Sequence, residues 1–222
     1  MIRELQNRRG QVRRGWALPF VALLLALACG GPLKHTLKPS LVPEAKRAEL
    51  DASQLEVKNA ETARDAAVSD VAVKKQDLKA AKVALKDRED DIKIAKAGQG
   101  MEGAKADAGR GGNTKSAKLA VKSAKIARDV AEAQIGLDEE ELDLAELKAT
   151  EAKAQWLVAL ANYEEAKGER IPSDDPKIAG KKREVSEQLD EKKRDLKEAS
   201  AAVEKQQKEV DKALDRVDAA AN

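Results

Sequence analysis

Apolar side chains recur every seven residues through most of this chain from position 43 onward. The spacing is most regular near the C-terminal end, at Leu189, Leu196, Val203, Val210 and Val217. The same spacing joins Leu50, Val57, Val71, Leu78, Leu85 and Ile92, and farther along Leu119, Ile126, Ala133, Leu147, Ala154 and Ala161. A sustained seven-residue repeat places its members on one stripe of an α-helix and requires a second helix beside it. The sequence therefore predicts long helices that pack as coiled coils.

The middle stretch carries a second apolar series, about 200° round the helix from the first at 100° per residue. Its members are Val121, Ile135, Leu142, Ala149, Trp156 and Tyr163. Two apolar faces imply two neighbouring helices, so this helix is expected in the middle of the bundle.

Glycine and proline divide the repeats into elements, because they favour helix ends and turns. The predicted divisions are helix 1 at 43–97, a Gly-rich hairpin tip at 98–113, helix 2 at 114–168, a turn at 169–176, and helix 3 with a C-terminal tail at 177–222. Asn113 and Asp175 are predicted to cap the second and third helices, while Gly98 and Gly168 are predicted stops. The expected fold is all-α: an elongated antiparallel three-helix coiled-coil bundle after an N-terminal signal peptide.

Composition supports this fold and excludes several functions. Charged residues make up 37% of the chain and aromatic residues only 2%, as in long helices rather than a mixed globular core. The single cysteine and single histidine allow no disulfide and no Cys/His metal cluster. Removing residues 1–28, with five arginines and one glutamate, changes the formal net charge from +2 to −2. A near-neutral chain of interspersed charges predicts no nucleic-acid partner.

No residue pattern indicates an enzyme, a cofactor or a small-molecule substrate. Gly98, Gly100 and Gly103 spell a dinucleotide fingerprint, but no strand precedes them, as that motif requires. The acidic runs at 139–141 and 88–91 are interpreted as solvated helix surface, because catalytic acids need a pocket that shifts their pKa. His35 is interpreted as a solvated residue of the chain before the helices.

The first 29 residues predict export and a lipid anchor. Residues 16–28 are apolar but too short to span a bilayer, and five arginines precede them, as in a secretory signal. Leu25, Ala26, Leu27, Ala28 and Cys29 then resemble the lipobox of bacterial lipoprotein precursors. The resemblance implies cleavage by signal peptidase II between Ala28 and Cys29, diacylglycerol on the Cys29 sulfur, and fatty acylation of the new amino terminus. Residues 29–42 would then be the lipidated cysteine and a tether.

Other interpretations of this region stay open. An ordinary signal peptide or an uncleaved anchor could precede an incidental cysteine, and Arg13 with Arg14 forms a partial twin-arginine signal.

The order of lipobox and heptads resembles the small helical lipoproteins of the Gram-negative outer membrane that link it to peptidoglycan. The resemblance implies outer-membrane sorting, since Gly30 rather than Asp follows the cysteine, and a location on the periplasmic face. Those proteins end in a lysine joined to the wall, whereas this chain ends in Asn222. Covalent attachment at the C-terminus is therefore not expected.

Two functions follow as hypotheses. The first is a lipid-anchored, periplasm-facing coiled-coil lipoprotein with a structural or scaffolding role, held to the membrane by its lipid and to a protein partner or to copies of itself by its helices. The alternative is a helical-hairpin adaptor of an export or cell-wall-remodelling complex. Trp156 and Tyr163, in or beside the apolar stretch 154–161, are candidates for contact with the membrane or a partner. Alternatively, these two residues pack in the layer of the core that contains the largest side chains.

Overall fold

A computed structural model describes residues 33–221 and confirms the predicted all-α bundle. Its helices are α1 (Glu44–Arg47), α2 (Asp51–Asp107), α3 (Thr114–Arg170) and α4 (Pro176–Ala221), with short 3-10 turns at Pro39–Leu41 and Ala48–Leu50. The described residues include no strand. The predicted signal peptide at 1–28 and the predicted lipidation site at Cys29 lie outside the described residues.

The chain divides into two units, and each contains segments of the three long helices. The first unit comprises the described part of Met1–Val68 together with Leu147–Val203. Within it, α3 contacts α2 through Tyr163 and Gln54 and contacts α4 through Glu165 and Ser186. These contacts confirm α3 as the middle helix of this unit. The buried core between α3 and α4 in this unit includes Leu157, Ala161, Val185 and Leu189.

The second unit comprises Ser69–Glu146 and the described part of Glu204–Asn222. Lys74 of α2 pairs with Glu141 of α3, and Lys82 pairs with Glu139, so the two helices run antiparallel. On the other side of α3, Gln206 of α4 donates to Glu140 at 2.9 Å. Ile92, Val121, Leu137, Leu144 and Ala213 are buried here.

The predicted heptad seam of α2 faces its neighbours. Three charged residues interrupt it: Arg64 in the series of Leu50, and Lys74 and Arg88 in a second series that contains Ala60, Ala67, Ala81 and Ala95. The Arg64 guanidinium lies 4.3 Å from the centroid of the Trp156 ring. The Lys74 ammonium lies 2.6 Å from a Glu141 carboxylate oxygen, a hydrogen bond that raises the pKa of Lys74. Arg88, the third interruption, is exposed. Two of the three charged residues thus bind side chains of α3.

The predicted apolar seam of α3 is not buried at the N-terminal end of this helix. Leu119 and Ile126 belong to the predicted seam, but their exposed fractions are 66% and 45%. The heptad prediction was wrong to place them against a neighbour within the described chain.

The end of the first long helix was also predicted wrongly. Residues 98–107 are not part of a loop, because α2 continues through Gly98, Gly100 and Gly103 to Asp107. Glycine weakens a helix by about 1 kcal/mol but does not end one that has already formed. The turn is confined to residues 108–113, where Gly109 and Gly111 have positive φ angles of 68° and 73°. Such angles suit glycine because it has no Cβ.

Both predicted N-caps are confirmed. The Asn113 side-chain oxygen accepts from the Ser116 N–H at 3.1 Å, and the Asp175 carboxylate accepts from the Lys177 N–H at 2.9 Å. These bonds satisfy backbone donors that the first turn of a helix leaves free. Gly168 does not stop α3, which continues to Arg170.

Candidate functional site

Residues 33–42, here called the docked segment, lie against α3 and α4 in the first unit. The sequence indicated a tether without regular contacts, but Leu37 and Val42 are exposed by only 2% and 1%. Both join an apolar cluster with Leu50 and Ile171. Only residues 30–32 separate this segment from Cys29. It therefore connects the predicted anchor to the helices, and it is the candidate functional site.

One side chain of α4 binds the backbone at the start of the docked segment. The Gln188 carboxamide oxygen accepts from the Lys34 N–H at 2.7 Å and from the His35 N–H at 3.1 Å. Its nitrogen donates to the His35 carbonyl at 3.0 Å. Gln188 is itself buried. A carboxamide can donate and accept at once, so one glutamine satisfies three groups of an extended chain.

A buried ion pair of α3 holds the middle of the docked segment. The Lys167 ammonium lies 2.6 Å from one Glu164 oxygen and donates to the Leu37 carbonyl at 3.1 Å. The other Glu164 oxygen accepts from the Leu37 N–H at 2.8 Å. Opposite charges buried together are stable only when their remaining hydrogen-bonding capacity is also met. Leu37 supplies that capacity from its own backbone.

Gly168 makes room for the docked segment. A Cβ placed on this residue would lie 3.2 Å from Cδ1 of Leu37 and 3.4 Å from Cγ of Lys182. The glycine therefore permits close approach of Leu37 to α3, rather than ending the helix as the sequence indicated. The sequence alone shows only a glycine near the end of α3. The position of Leu37 explains why a residue without a Cβ is found there.

His35 is not the free, solvated residue that the sequence indicated. Its backbone is bound by Gln188, and its Nδ1 lies 3.0 Å from a Glu184 oxygen. The two side chains are less than half exposed. This contact is ionic only when the imidazole is protonated.

Of the predicted contact residues, Tyr163 lies beside the docked segment. Its ring packs against the apolar cluster, with the Lys167 ammonium 4.8 Å from the ring centroid. Its hydroxyl accepts from Gln54 at 2.9 Å. Trp156 lies under Arg64 and is partly buried. Both aromatic residues thus have partners inside the first unit, while Ala28 and Cys29 fall outside the described residues.

The acidic run at 139–141 is not simple solvated surface, which corrects the sequence interpretation. Its members pair with Lys82, Gln206 and Lys74. Nearby Asp143 is half-buried, and burial together with the charge of Glu140 raises its pKa to about 6. The other acidic run, at 88–91, is exposed as predicted.

The site has the chemistry of a structural attachment point. Its polar groups are engaged with the backbone of the docked segment, and its apolar groups form one cluster. Among residues 33–221, no group of three His, Cys, Asp or Glu side chains could hold a metal ion. Within that same range, no helix is both long and apolar enough to span a bilayer.

Comparison with protein-family models, with curated proteins and with solved structures finds no match to this chain.

Proposed function

We propose that this chain is a lipid-anchored coiled-coil lipoprotein with a structural or scaffolding role on the periplasmic face of the outer membrane. The observation that supports the proposal is the docked segment. A flexible tether would let the helices move freely away from an anchor. Here the chain after the predicted anchor is instead fixed to α3 and α4 through Gln188, Glu164 and Lys167.

The reach of the chain sharpens this argument. Only Gly30, Gly31 and Pro32 separate Cys29 from the first described residue, Leu33. An extended chain advances at most about 3.6 Å per residue, so the lipidated residue would lie within about 14 Å of Leu33. Two or three acyl chains anchor a protein far more firmly than one. The lipid would therefore hold the first unit close to the bilayer surface.

In this proposal the protein is not an enzyme and needs no cofactor. Its partners are the membrane, through the lipid, and a protein or a second copy, through the helices. Tyr163 and Trp156 both belong to the unit that the lipid would hold near the membrane. Both residues are only partly buried, and their rings suit a half-wet interface with headgroups or a partner.

Mass spectrometry of the protein purified from Gram-negative membranes tests the anchor. We expect a chain that begins at Cys29 and carries a diacylglycerol group with a further acyl chain on its amino terminus. Cys29→Ala is expected to remove the acyl groups and to prevent cleavage by signal peptidase II. A chain that begins at another residue, or that carries no acyl group, would contradict the proposal.

Crosslinking in intact cells tests the scaffolding role. We expect the lipidated protein to form adducts with a second copy or with another envelope protein, and we expect Leu196→Lys, in the seam of α4, to reduce them. Recovery of the wild-type chain without any adduct would contradict a scaffold.

The adaptor hypothesis remains a second candidate, because one face of α3 near the hairpin turn is exposed and carries two large apolar side chains with lysines beside them.

A further inference from the structure

The first turns of α3 carry an exposed face, here called the lysine face, formed by Lys115, Lys118, Leu119, Lys122, Lys125 and Ile126. Lys115, Leu119, Lys122 and Ile126 follow one another at spacings of four, three and four residues. This spacing keeps them on a single stripe of the helix. Lys118 and Lys125 flank one side of the stripe. The face therefore combines two large apolar side chains with four ammonium groups.

The four lysines stand out because their charges are not neutralised nearby. No acidic residue occurs between Asp107 and Asp129. Within the described chain, none of the four makes an ion pair, whereas Lys74, Lys75 and Lys82 of α2 all pair with α3. At the edge of this stretch, Arg128 pairs with Asp129. The lysine face is thus a local concentration of uncompensated positive charge in a chain whose charges elsewhere are interspersed.

The lysine face continues the surface on which α4 packs in the second unit. Leu119, Ile126, Ala133 and Glu140 are successive members of one seven-residue series. Glu140 accepts from Gln206, so α4 covers that level of α3. About 15 residues farther along this antiparallel pair, Ala221 comes level with Lys125. The series therefore extends past the level of Ala221, the last described residue of α4, and Leu119 is exposed there.

We propose that the lysine face docks an amphipathic helix of a partner protein whose apolar heptad positions are flanked by Asp and Glu. Leu119 and Ile126 would insert between the apolar side chains of that helix, as residues of this same series do against α4. The four lysines would pair with its acidic flanks. In coiled coils, flanking charges set partner choice and orientation.

A second copy of this chain fits the lysine face poorly. In a dimer whose twofold axis passes through the face, the face would meet itself, and the lysines of one copy would approach those of the other. Like charges across an interface disfavour association. The occupant must instead bring negative charge.

A membrane surface also fits less well than a helix. Helices that lie on membranes bury broad faces rich in Trp, Phe and Leu. The lysine face offers only Leu119 and Ile126, at the seven-residue spacing that suits another helix. This inference deepens the adaptor hypothesis and rests on it, but it does not require lipidation of Cys29. Binding measurements can therefore fail while the lipid analysis succeeds, and the reverse.

Peptide binding to the purified full chain tests the proposal. The probes are two synthetic 21-residue amphipathic helices with Leu and Ala at the heptad positions, one flanked by Glu and the other by Lys. Fluorescence anisotropy is expected to show binding of the Glu-flanked peptide, weakened by added salt. The double variant Lys118→Glu with Lys122→Glu is expected to bind this peptide at least about tenfold more weakly and to gain binding of the Lys-flanked peptide.

Two further variants control for folding and for non-specific charge effects. Lys193→Glu with Lys197→Glu places the same change, at the same spacing, on an exposed face of α4 and is expected to leave binding unchanged. The double variant Leu119→Gln with Ile126→Gln keeps every charge but is expected no longer to bind the Glu-flanked peptide. All these positions are exposed, so circular dichroism is expected to show unchanged helicity.

The remaining outcomes overturn the proposal. Equal binding of both peptides, or of neither, would show that the face does not select an acidic helix. Binding of phosphatidylglycerol vesicles that the Lys118/Lys122 variant abolishes, without peptide binding, would identify a membrane surface instead. Sedimentation of a wild-type dimer that the Leu119/Ile126 variant dissociates would identify a second copy as the occupant.

Discussion

At the scale of single residues, Lys167 and Glu164 can stay buried in the folded protein because each neutralises the charge of the other. Their side chains are almost fully buried, and the backbone of Leu37 completes their hydrogen bonds. A buried charge without its partner costs several kcal/mol, whereas an exposed one loses little. Replacing the lysine of an ion pair should therefore lower the free energy of unfolding much more in a buried pair than in an exposed pair.

We predict that Lys167→Met lowers the free energy of unfolding by about 3 kcal/mol, because it leaves Glu164 buried without a counter-charge. Lys208→Met is the matched control, since Lys208 pairs with Glu204 on an exposed surface. That control is expected to cost less than about 0.5 kcal/mol. Urea unfolding followed by circular dichroism measures both. Equal effects of the two substitutions would contradict the buried character of the Lys167 pair.

The raised pKa of Asp143 predicts a pH-dependent stability. Its pKa is about 6 in the folded protein against an ordinary value of 3.8, so the folded chain binds this proton more tightly than the unfolded chain. The carboxylate thus destabilises the fold above pH 6, and this cost disappears as the pH falls from 7 toward 4. Asp143→Asn is expected to stabilise the protein by about 1 to 2 kcal/mol near pH 7.5, after allowance for solvent screening, and by little near pH 4.

Thermal unfolding of both proteins between pH 4 and pH 7.5 measures this difference. Asp90 provides the opposite case, because a hydrogen bond from Lys93 lowers its pKa. Asp90→Asn should therefore not stabilise the protein at pH 7.5. A stabilisation by Asp143→Asn that did not depend on pH would show that burial of the charge is not its cause.

At the scale of elements, the apolar period predicts the helices because the same residues that repeat in sequence must share one face. It cannot predict residues 98–107, since glycine favours a helix end in isolation but tolerates a helix interior. The residue at which α2 ends depends on its pairing with α3, and the spacing of apolar residues does not predict that residue. Similarly, the heptad series contains Leu119, but a series does not show how far along α3 a neighbouring helix reaches, and Leu119 is exposed.

The glycines of α2 provide a direct test of this helix. No atom lies within 4 Å of a Cβ placed on Gly98, Gly100 or Gly103. Each change to alanine is therefore expected to stabilise the protein by about 0.5 to 1 kcal/mol, through better helix propensity. In a flexible loop the same changes would have little effect. Urea unfolding of the triple variant distinguishes the two structures.

Gly112 is the control for these substitutions. A Cβ there would clash with the carbonyl oxygen of Glu102, which is backbone and cannot move freely. Gly112→Ala is therefore expected to destabilise the turn, in contrast to the helical glycines. A gain in stability at Gly112 would contradict the described turn.

At the scale of the whole molecule, the docked segment fixes the chain that follows the predicted anchor to the helices of the first unit. The sequence could not predict its docking, because Gln188 recognises backbone groups about 150 residues away and backbone groups leave no pattern of side chains. Two of the three leucines in the segment have contrasting settings. Leu37 is buried, while Leu41 is 39% exposed.

We predict that Leu37→Ala lowers the free energy of unfolding by about 2 to 4 kcal/mol and that Leu41→Ala has a much smaller effect. Leu37→Ala is also expected to speed trypsin cleavage after Lys34 and Lys38, because cleavage requires the segment to leave α3 and α4. Limited proteolysis with mass spectrometry measures the rates. Equal rates in the wild type and both variants would contradict a docked segment.

The alanine-rich seam of α2 has a consequence for how the helices find their alignment during folding. Ala60, Ala67, Ala81 and Ala95 repeat in steps of seven, so a hairpin displaced by one heptad would again place small residues together at little cost. The charged members remove this degeneracy. Displacement in one direction would set Lys74 opposite Lys148 rather than Glu141. Displacement in the other direction would set Lys74 opposite Gln134, and Arg64 opposite Ala149 rather than Trp156. A few charged side chains thus select one alignment from several that the small residues would accept.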